Sequence, residues 1–532
     1  MRLAPKALKY GILLPALLIC VLLTACSQKR IEFTMYVNTI PVNLDPQIAS
    51  TPSEITSVLH LYNSLFRKGA DGKVVACAAK DYSVSEDGLV YTITIKSEQK
   101  WHSYKANGVR IEDVLTASDF AFGISRVFDK DTKSPYVQPL STIKNGLKVL
   151  DGALPPSALG VKATDEYTLQ ITLEHPDPLF IDKLCLPGTM PCNETFFKST
   201  NGAYGLSGKT TLGNGDFELV TWVSDSGIGM KKASSENGEI NYLRLILPEK
   251  RSNDLTPIER LAEGDTDGEL IQGYVEDNRF SGINFATTVW TLCFNNNNKY
   301  LANADIRRAL ASCAENADLK LDGKSLLASE GLVPPSISML EKNYREYAGN
   351  LLLPVPNAAA TYRSGLEQLG VSKVSGLTVL VPSDGEYAEY FEEIAQQWQK
   401  DLSVFFSVKK VSRAELDKAV AGGNYDIALI PLSQSENDVS ALLARFKSTS
   451  SNNPCAYKSE QYDSLLKSIE LSRDSGKRAD LYVAAEKLIL SDAPIVPLFY
   501  ETGTFLYSSD ISNLVVSPYG PIIDISFAIK KT

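Results

Sequence analysis

The sequence predicts an α/β protein built from more than one domain, and three observations lead to this expectation. The chain has 532 residues, more than one hydrophobic core usually organises, so two or three domains are expected. Residues 375–490 alternate short apolar strands with amphipathic helices, which is typical of βαβ units and a parallel or mixed sheet. The half before them is richer in strand patterns, and 44% hydrophobic and 22% charged residues are an ordinary globular composition.

The amino terminus has the layout of a secretory signal. Three basic residues precede an almost wholly apolar run at 11–23. This run is shorter than the roughly 20 residues that a membrane-spanning helix needs. It ends in Leu-Thr-Ala-Cys, which resembles a lipobox, so we expect cleavage before Cys26 and lipid attachment to its thiol. Residues 1–25 are then the signal peptide; a plain signal with a chance cysteine, or an uncleaved anchor, is the alternative.

The charge balance excludes some partners. Removing residues 1–25 takes away three cations and no acids, so the formal charge moves from −10 to −13. An acidic chain without a basic cluster is a poor binder of nucleic acid, and none is expected as a partner. An anionic membrane surface would repel it, which leaves the lipid on Cys26 as the tether.

Common enzyme motifs are missing. The three histidines, His60, His102 and His175, are scattered, and the chain has no His-x-x-x-His, Cys-x-x-Cys or Gly-x-Ser-x-Gly motif. A pair of carboxylates, as in glycosidases, can be drawn from any acidic sequence and has no specific support here. We therefore expect no enzymatic activity, no cofactor and no metal site, and we interpret His60 as a packing or surface residue on a helix.

Six cysteines follow Cys26, and an even number in an exported protein allows disulfides. Cys185 and Cys192 bracket the turn-forming stretch Leu-Pro-Gly-Thr-Met-Pro, so this pair is the first disulfide to test. The sequence leaves the other pairings open, and several of these thiols could be free and buried.

The elements of the first half follow from local patterns. Alternation predicts a strand at 31–37, and helical periodicity predicts a helix at 54–66, capped by Ser53 after Pro52. Asp71-Gly72 marks a hairpin turn. Further strands are predicted at 82–84, 89–95, 167–173, 217–223 and 242–247, and a further helix at 117–128.

The second half carries the alternation that defines the fold class. Helices are predicted at 304–314, 387–401, 413–421, 439–446, 462–471 and 477–490. Strands are predicted at 377–381, 405–411 and 425–429. A helix between two strands favours parallel pairing, because the crossover returns the chain to the same end of the sheet.

Seven local patterns occur in one order between about residues 45 and 500. They are Leu44-Asp45-Pro46 with 61–66; 82–95 with Trp101; 116–120 with Arg126 and Ser134-Pro135-Tyr136; 213–217; Asn295 with 305–310; 424–427 with 462–466; and 493–498. Each is weak alone, but unrelated sequences would not keep all seven in order. Together they resemble the extracytoplasmic solute-binding proteins of ABC importers, namely the oligopeptide- and dipeptide-binding lipoproteins of family 5.

The resemblance implies a bilobal, periplasmic-binding-protein-like α/β fold of type II with an extra domain. Residues 30–62, 206–287 and 498–532 would form lobe 1, residues 63–205 the extra domain packed on it, and residues 288–497 lobe 2. The lobes would close on a ligand by hinge motion. The implied function is capture of short peptides, or peptide-like cell-wall fragments, by a lipid-anchored monomer in the periplasm or at the cell exterior. ABC permease and ATPase subunits would be its partners.

The resemblance also implies ligand contacts in the first half of the chain. Ser50, Thr51 and Pro52 would lie on the cleft loop of lobe 1. Tyr136 would either stack on the ligand or belong to the core. Asn214 would lie in a glycine-rich turn whose main task is to hold backbone geometry.

The expected amine site departs from the family. Where a Trp-x-x-Asp-Tyr stretch supplies an acid for the ligand amine, this chain has Leu432 and Ser435. A hydroxyl does not replace a charge-assisted bond to ammonium, worth roughly 1.5–3 kcal/mol. Either Glu436 or Asp438 takes the role, or the ligand lacks an ordinary free amine, as a murein-type, modified or cyclic peptide would. Both acids could equally be solvated loop residues.

Other ligand classes stay open at this point. A metal chelate or haem is the alternative ligand within the same superfamily, and a structural protein of the cell envelope is the alternative outside it. The sequence does not place an arginine for a ligand carboxylate.

Overall fold

The computed structural model describes residues 29–106, 109–248, 254–340, 342–352, 354–385, 387–434, 437–519 and 522–531. The predicted signal peptide, Cys26, Ser435 and Glu436 lie outside the described residues. Within these ranges no helix combines the length and the apolar character needed to cross a membrane.

Short strands are spread along the whole described chain. They are β1 Glu32–Tyr36, β2 Phe66–Lys68, β3 Val74–Ala76, β4 Ala79–Val84, β5 Val90–Ile95, β6 Tyr104–Ala106, β7 Val109–Ile111, β8 Val161–Ala163, β9 Thr168–Thr172, β10 Phe217–Val223, β11 Gly227–Lys232, β12 Tyr242–Ile246, β13 Gly268–Gln272, β14 Phe280–Phe294, β15 Leu326–Ala328, β16 Ser338–Met339, β17 Lys342–Asn343, β18 Thr378–Pro382, β19 Ser407–Val411, β20 Ile427–Ser433, β21 Ile495–Ser508, β22 Ile511–Ser512, β23 Val515–Ser517, β24 Ile522–Asp524 and β25 Ile529–Lys530.

The α-helices concentrate in the second half. They are α1 Pro52–Leu61, α2 Ala117–Val127, α3 Gly146–Leu150, α4 Phe180–Lys183, α5 Glu194–Ser199, α6 Pro257–Glu263, α7 Ala304–Glu315, α8 Tyr344–Ala348, α9 Ala358–Leu369, α10 Tyr387–Leu402, α11 Arg413–Ala421, α12 Val439–Leu443, α13 Glu460–Leu471 and α14 Ser475–Asp492. Short 3₁₀ turns lie at Pro156–Ala158, Pro187–Thr189 and Ala444–Phe446.

One large sheet runs through the molecule. Its order is β10-β11-β12-β1-β13-β21-β14-β20-β18-β19, and β15 pairs with β21. β14 is antiparallel to β21 and to β20, whereas β18 is parallel to both β19 and β20. The helices α10 and α11 connect these parallel strands. The βαβ arrangement predicted for residues 375–490 is therefore confirmed.

A second sheet, of order β4-β5-β9-β8, lies outside the large one. Its inner face buries Tyr91, Ile93 and Ile95 of β5 together with Leu169 and Ile171 of β9. These residues alternate along their strands, as one buried face requires. The strand patterns predicted at 89–95 and 167–173 thus correspond to a sheet with one face in the core.

Three clusters of buried apolar side chains stabilise the fold. Core 1 draws on residues 31–245 and 505–528. Core 2 and core 3 both draw on residues 286–500 and include side chains from opposite faces of β14, with Cys293 in core 2 and Leu292 in core 3. β21 supplies buried residues to all three, for example Phe505 to core 1. β14 and β21 therefore link core 1 to the other two.

The predicted Cys185–Cys192 disulfide is wrong, because both thiols are free in the structure. The thiol of Cys185 donates to the Ile181 carbonyl at 3.8 Å, and the sulfur of Cys192 accepts from Arg126 Nη1 at 3.7 Å. Each sulfur therefore has its own polar partner. Burial raises the pKa of both thiols to about 12, which keeps them protonated.

Candidate ligand-binding site

The carboxyl ends of β18, β19 and β20 meet at one edge of the large sheet. In open α/β sheets this edge is where ligands bind. Ser433 ends β20, and its hydroxyl lies 2.9 Å from the hydroxyl of Thr288 on β14. The next residue, Gln434, donates its backbone N–H to the Thr287 carbonyl at 3.0 Å. Residues 434–438, here called the β20–α12 loop, therefore begin beside β14.

The β20–α12 loop is contacted at two points, by Tyr519, which packs against core 2, and by Lys183, whose neighbours on α4 belong to core 1. Tyr519, between β23 and β24, donates its hydroxyl to Asn437 Oδ1 at 2.9 Å and to the Ser336 carbonyl at 3.0 Å. Lys183, at the end of α4, places its ammonium 3.5 Å from Asp438 Oδ2. The loop thus lies at the junction between core 1 and cores 2 and 3.

Four charged side chains form an ionic network across this junction. Lys183 Nζ lies 2.9 Å from Asp177 Oδ2 and 3.5 Å from Asp438, and Arg478 Nη1 lies 3.9 Å from Asp177 Oδ1. None of these side chains exposes more than 11% of its surface. Burial alone would raise the pKa of Asp177, but the cations of Lys183 and Arg478 hold it below the ordinary value. We call these four residues the junction network; two anions and two cations leave it neutral.

Asp438 was one of the two acids considered for binding the ligand amine. Its carboxylate caps α12 by accepting the Ser440 N–H at 2.7 Å, and its other oxygen faces Lys183. A carboxylate that caps a helix and is paired with a lysine is not the free acid that a ligand amine requires. The role predicted for Asp438 is therefore replaced by one within the junction network.

Ser50, Thr51 and Pro52 form the exposed start of α1. Thr51 Oγ1 accepts the Glu54 N–H at 3.3 Å, while the backbone N–H groups of Ser50 and Thr51 donate to Glu54 Oε2 at 3.1 Å. This reciprocal pair is a capping box, with Pro52 as the first helical residue. Thr51, not Ser53, is therefore the cap. Contact of these residues with a ligand stays a prediction.

Tyr136 belongs to the core and does not offer an open ring to a ligand. It is only 7% exposed, its hydroxyl donates to the Ala49 carbonyl at 2.5 Å, and burial raises its pKa. The neighbouring Ser134 hydroxyl donates to the Gln47 carbonyl at 2.6 Å. This segment therefore fixes the backbone that leads into α1, which agrees with the second of the two alternatives, that Tyr136 belongs to the core.

Asn214 also has a structural role. Its side chain accepts the Asn63 N–H at 3.2 Å and donates to the Asn63 carbonyl at 3.3 Å, and the residue is buried. The flanking glycines permit a close backbone approach, since a Cβ at Gly213 would lie 2.3 Å from the Leu61 carbonyl oxygen. The glycine-rich turn is thus packed against the end of α1, which agrees with the expectation that it mainly holds backbone geometry. Contact of Asn214 with a ligand stays a prediction.

The junction residues Asp177, Lys183, Arg478 and Tyr519 were not among the residues predicted from the sequence. Lys183 lies only six residues from Asp177, but every pairing across the junction joins residues far apart in the chain, and none lies in a local motif. Only the predicted helix at 477–490 marks the position of Arg478, without a role. No local pattern could have identified these pairings.

A surface cavity of about 590 Å³ lies away from the junction. Residues Asn295, Asn298, Thr378, Lys409 and Asp426 are among those that line it, at the amino ends of β18 and β20. Its polar groups already serve the fold, because Asp426 accepts from Asn298 Nδ2 at 2.8 Å and from the Thr378 N–H at 2.9 Å. In the part of the chain that the structure describes, no three metal-ligating side chains cluster.

Comparison with known proteins places the fold and the chain in context. A family model described as bacterial extracellular solute-binding proteins, family 5 Middle, matches residues 73–454. The dipeptide-binding protein DppE of Bacillus subtilis is 25% identical over 521 residues, covering 94% of this chain and 92% of that protein. The periplasmic murein peptide-binding protein MppA of Escherichia coli is 24% identical over 509 residues, covering 90% and 89%. The structure of Listeria monocytogenes OppA bound to peptide gives a TM-score of 0.70 at 23% identity, covering 95% of this chain and 100% of that one.

Proposed function

Because the chain belongs to the bacterial extracellular solute-binding proteins of family 5, we propose that it captures short peptides at the junction described above and delivers them to an ABC permease. Relatives named as dipeptide-binding and murein peptide-binding proteins support peptides as the ligand class. Solute-binding proteins release their ligand unchanged, so the energy for transport comes from ATP hydrolysed by partner subunits.

The observation that carries this proposal is the position of the β20–α12 loop. It follows the carboxyl end of a parallel strand and is contacted by Tyr519 from the segment after β21 and by Lys183 from α4, a helix that packs in core 1. In the proposed division, residues 30–62, 206–287 and 498–532 form lobe 1 and residues 288–497 form lobe 2. Residues 63–205 form the extra domain on lobe 1. Core 1 draws only on the first group and the extra domain, which supports this division.

Recognition would combine backbone pairing with tolerant side-chain pockets. An extended peptide can pair its amides with strand ends exposed at the cleft, as in β-augmentation. Its side chains can enter hydrated pockets, since bridging water is enthalpically nearly as good as a direct hydrogen bond. β14 and β21 are the strands that pass between the lobes and would act as the hinge.

Titration calorimetry of residues 26–532 against di- to hexapeptides and murein stem peptides tests the ligand class. We expect micromolar or tighter binding, about −8 kcal/mol or better, and a smaller radius of gyration in X-ray scattering when ligand is present. A mixture of free amino acids is the control. No heat with any peptide, together with an unchanged radius, would exclude the proposal.

Two alternatives remain for the ligand amine. Either Glu436 binds it, or the ligand has no free amine at this end of the cleft. If Glu436 serves, Glu436→Gln should weaken binding of a free-amine peptide about tenfold and leave its N-acetylated form unaffected. Glu346→Gln, an exposed acid on α8, is the matched control. Equal affinity of the Glu436 variant and the wild type for the free-amine peptide removes Glu436 from the site.

Membrane attachment through Cys26 is the remaining part of the proposal. Cys26→Ala should move the protein from the membrane fraction to the soluble fraction, because the acyl chains provide the tether. Cys77→Ala, which removes a cysteine inside the fold, should leave the distribution unchanged. Continued membrane attachment of the Cys26 variant would contradict lipidation at this residue.

A further inference from the structure

Arg445 lies close to the candidate site and has no ion-pair partner among the residues that the structure describes. It lies in the 3₁₀ turn Ala444–Phe446 that follows α12, between the fully buried side chains of Leu443 and Phe446. Its Nη2 donates to the Ser433 carbonyl at 2.9 Å, at the end of β20. No carboxylate of the described residues forms an ion pair with it, and burial lowers the pKa of its guanidinium.

A second polar group, the side-chain amide of Gln434, lies at the same end of β20. Gln434 is 5% exposed, and its side-chain Nε2 is buried without a hydrogen-bond partner in the structure. Buried donors are normally paired, since an unpaired one costs about 1–3 kcal/mol. Gln434 follows directly on Ser433, to which Arg445 is bonded, so the two donors lie at the same end of β20.

The other charges nearby are already balanced. Asp438 is engaged by Lys183 and by the start of α12, and Asp177 is paired with Lys183 and Arg478. Among the described residues, the end of β20 therefore offers N–H donors and one uncompensated cation, and no free acid. An anion that pairs with a cation removed from water offsets the cost of burying that cation.

We propose that Arg445, assisted by Gln434, receives a carboxylate of the ligand, so that this end of the cleft selects a carboxylate over an ammonium group. The planar guanidinium presents paired N–H donors that match a carboxylate. The carboxylate can be the α-carboxylate of a linear peptide or a side-chain acid, as in murein-type peptides. This inference rests on the proposed function and specifies the ligand class of the same site.

Four matched peptides measured by calorimetry test the proposal: Ala-Glu-Lys, its N-acetyl form, its C-terminal amide, and Ala-Gln-Lys. For the wild type we expect acetylation to change the dissociation constant less than about threefold. Removing the recognised carboxylate should weaken binding about 10- to 100-fold, as loss of a charge-assisted bond does. A loss on amidation identifies the α-carboxylate, and a loss with Ala-Gln-Lys identifies the side-chain acid.

Variants of Arg445 and Gln434 test whether these residues cause the loss of affinity for peptides that lack the carboxylate. In Arg445→Gln, removing the carboxylate from the peptide should weaken binding less than about threefold. Arg445→Lys should keep part of the wild-type difference in affinity, and Gln434→Met should reduce that difference less than Arg445→Gln does. Arg244→Gln removes the same charge from β12, where the side chain is 44% exposed, and should leave all four affinities unchanged. Thermal unfolding of each variant confirms folding, and Arg445→Lys keeps the test valid if the glutamine variant does not fold.

Two results would overturn the inference while leaving the proposed function intact. In the first, the N-acetyl peptide binds much more weakly than the free peptide, while the C-terminal amide and Ala-Gln-Lys bind as well as Ala-Glu-Lys does. This end of the cleft would then be an amine site. The other is an Arg445→Gln protein that retains the wild-type loss. Absence of binding by these four and by the wider peptide library would overturn the proposed function, and this inference with it.

Discussion

Arg126 and Asp45 form a buried, two-pronged ion pair between α2 and the segment before α1. Arg126 Nη1 donates to Asp45 Oδ1 at 2.9 Å, and Nη2 to Oδ2 at 2.5 Å. Arg126 Nη1 also donates to Gln47 Oε1 at 2.7 Å, and its guanidinium lies 4.2 Å from the centre of the Phe197 ring. Residues of the proposed lobe 1 and of the proposed extra domain are therefore fixed to each other by one arginine.

Arg126→Gln should lower the free energy of unfolding by about 3–5 kcal/mol, because Asp45 would stay buried without a cation. Urea unfolding followed by circular dichroism measures this. Arg244→Gln, which breaks an exposed pair with Glu32, should cost at most about 1 kcal/mol. Similar losses for the two variants would show that the Asp45 site is hydrated and not truly buried.

His60 makes stability depend on pH. The ring is buried, its Nδ1 donates to the Thr56 carbonyl at 2.7 Å, and its Nε2 accepts the Ile525 N–H at 3.0 Å. Both nitrogens are satisfied only in the neutral ring. Burial lowers the pKa of His60 from 6.5, although Asp524 opposes this.

The unfolded chain therefore binds a proton at His60 at a higher pH than the folded protein does. The stability that neutral His60 contributes is present above about pH 6.5 and is lost as the pH falls below that value. The difference in unfolding free energy between wild type and His60→Gln should thus narrow from about pH 8 to about pH 5. A constant difference over this range would mean that His60 does not titrate differently on folding.

At the scale of elements, α1 illustrates what local sequence can and cannot define. Helical periodicity predicts 54–66, but the helix ends at Leu61. The Gly215 N–H donates to the Leu61 carbonyl at 2.9 Å, and the Gly213–Gly215 turn occupies the space beyond it. This partner is about 150 residues away in the chain, so tertiary packing, and not periodicity, determines the end of the helix.

The start of α1 depends on residues that are close in sequence, so a single substitution can test it. Thr51→Ala should lower the thermal midpoint by an amount equivalent to about 1 kcal/mol, because the Glu54 N–H loses its acceptor. Thr256→Ala removes the corresponding hydroxyl from the capping box of α6 and should cost a similar amount. An unchanged midpoint for Thr51→Ala would show that water replaces the hydroxyl without penalty.

The strands and helices between β18 and α14 were largely predictable, because each has its own periodicity, whereas the long strands β14 and β21 and the helix α9 were not predicted. α11 was predicted residue for residue, and the start of α10 was predicted at Tyr387. β20 was placed two residues too early, since Tyr425 and Asp426 look like strand residues but bond through their side chains to Pro454 and Asn298. Such contacts depend on neighbours that the local pattern does not contain.

At the scale of the whole molecule, the junction network links residues of the proposed extra domain with residues of the proposed lobe 2. Lys183→Met should weaken the binding of every peptide by the same factor, about 3- to 10-fold, since it destabilises the closed arrangement without touching the ligand. Higher salt should reduce the affinity of the wild type more than that of the variant. Calorimetry with two unrelated peptides at two salt concentrations measures both effects.

Lys198→Met is the matched control, because Lys198 forms only an exposed pair with Glu194 on α5. It should leave affinity and salt dependence unchanged. A factor that differs between the two peptides would instead place Lys183 in direct contact with the ligand.

The candidate site was predictable only in outline. The family resemblance pointed to the segment after β20, and the structure places that loop at the junction. The partners of the loop, Tyr519 and Lys183, could not be predicted, because the sheet order that brings them together depends on pairing between distant strands. For Tyr136 and Asn214 the sequence left a structural role open beside ligand contact, and the backbone groups that they bond are ones that local sequence does not identify.

β14 and β21 pair from Phe280 with Ser508 to Cys293 with Ile495. A fragment ending at residue 497 would cut β21 after its first three residues and leave most of β14, and all of β15, without a hydrogen-bonded neighbour on that side. Long unpaired strand edges recruit other chains, so such a fragment should aggregate. We therefore expect that neither of the two halves that enclose the proposed binding site folds as an autonomous module when it is produced alone.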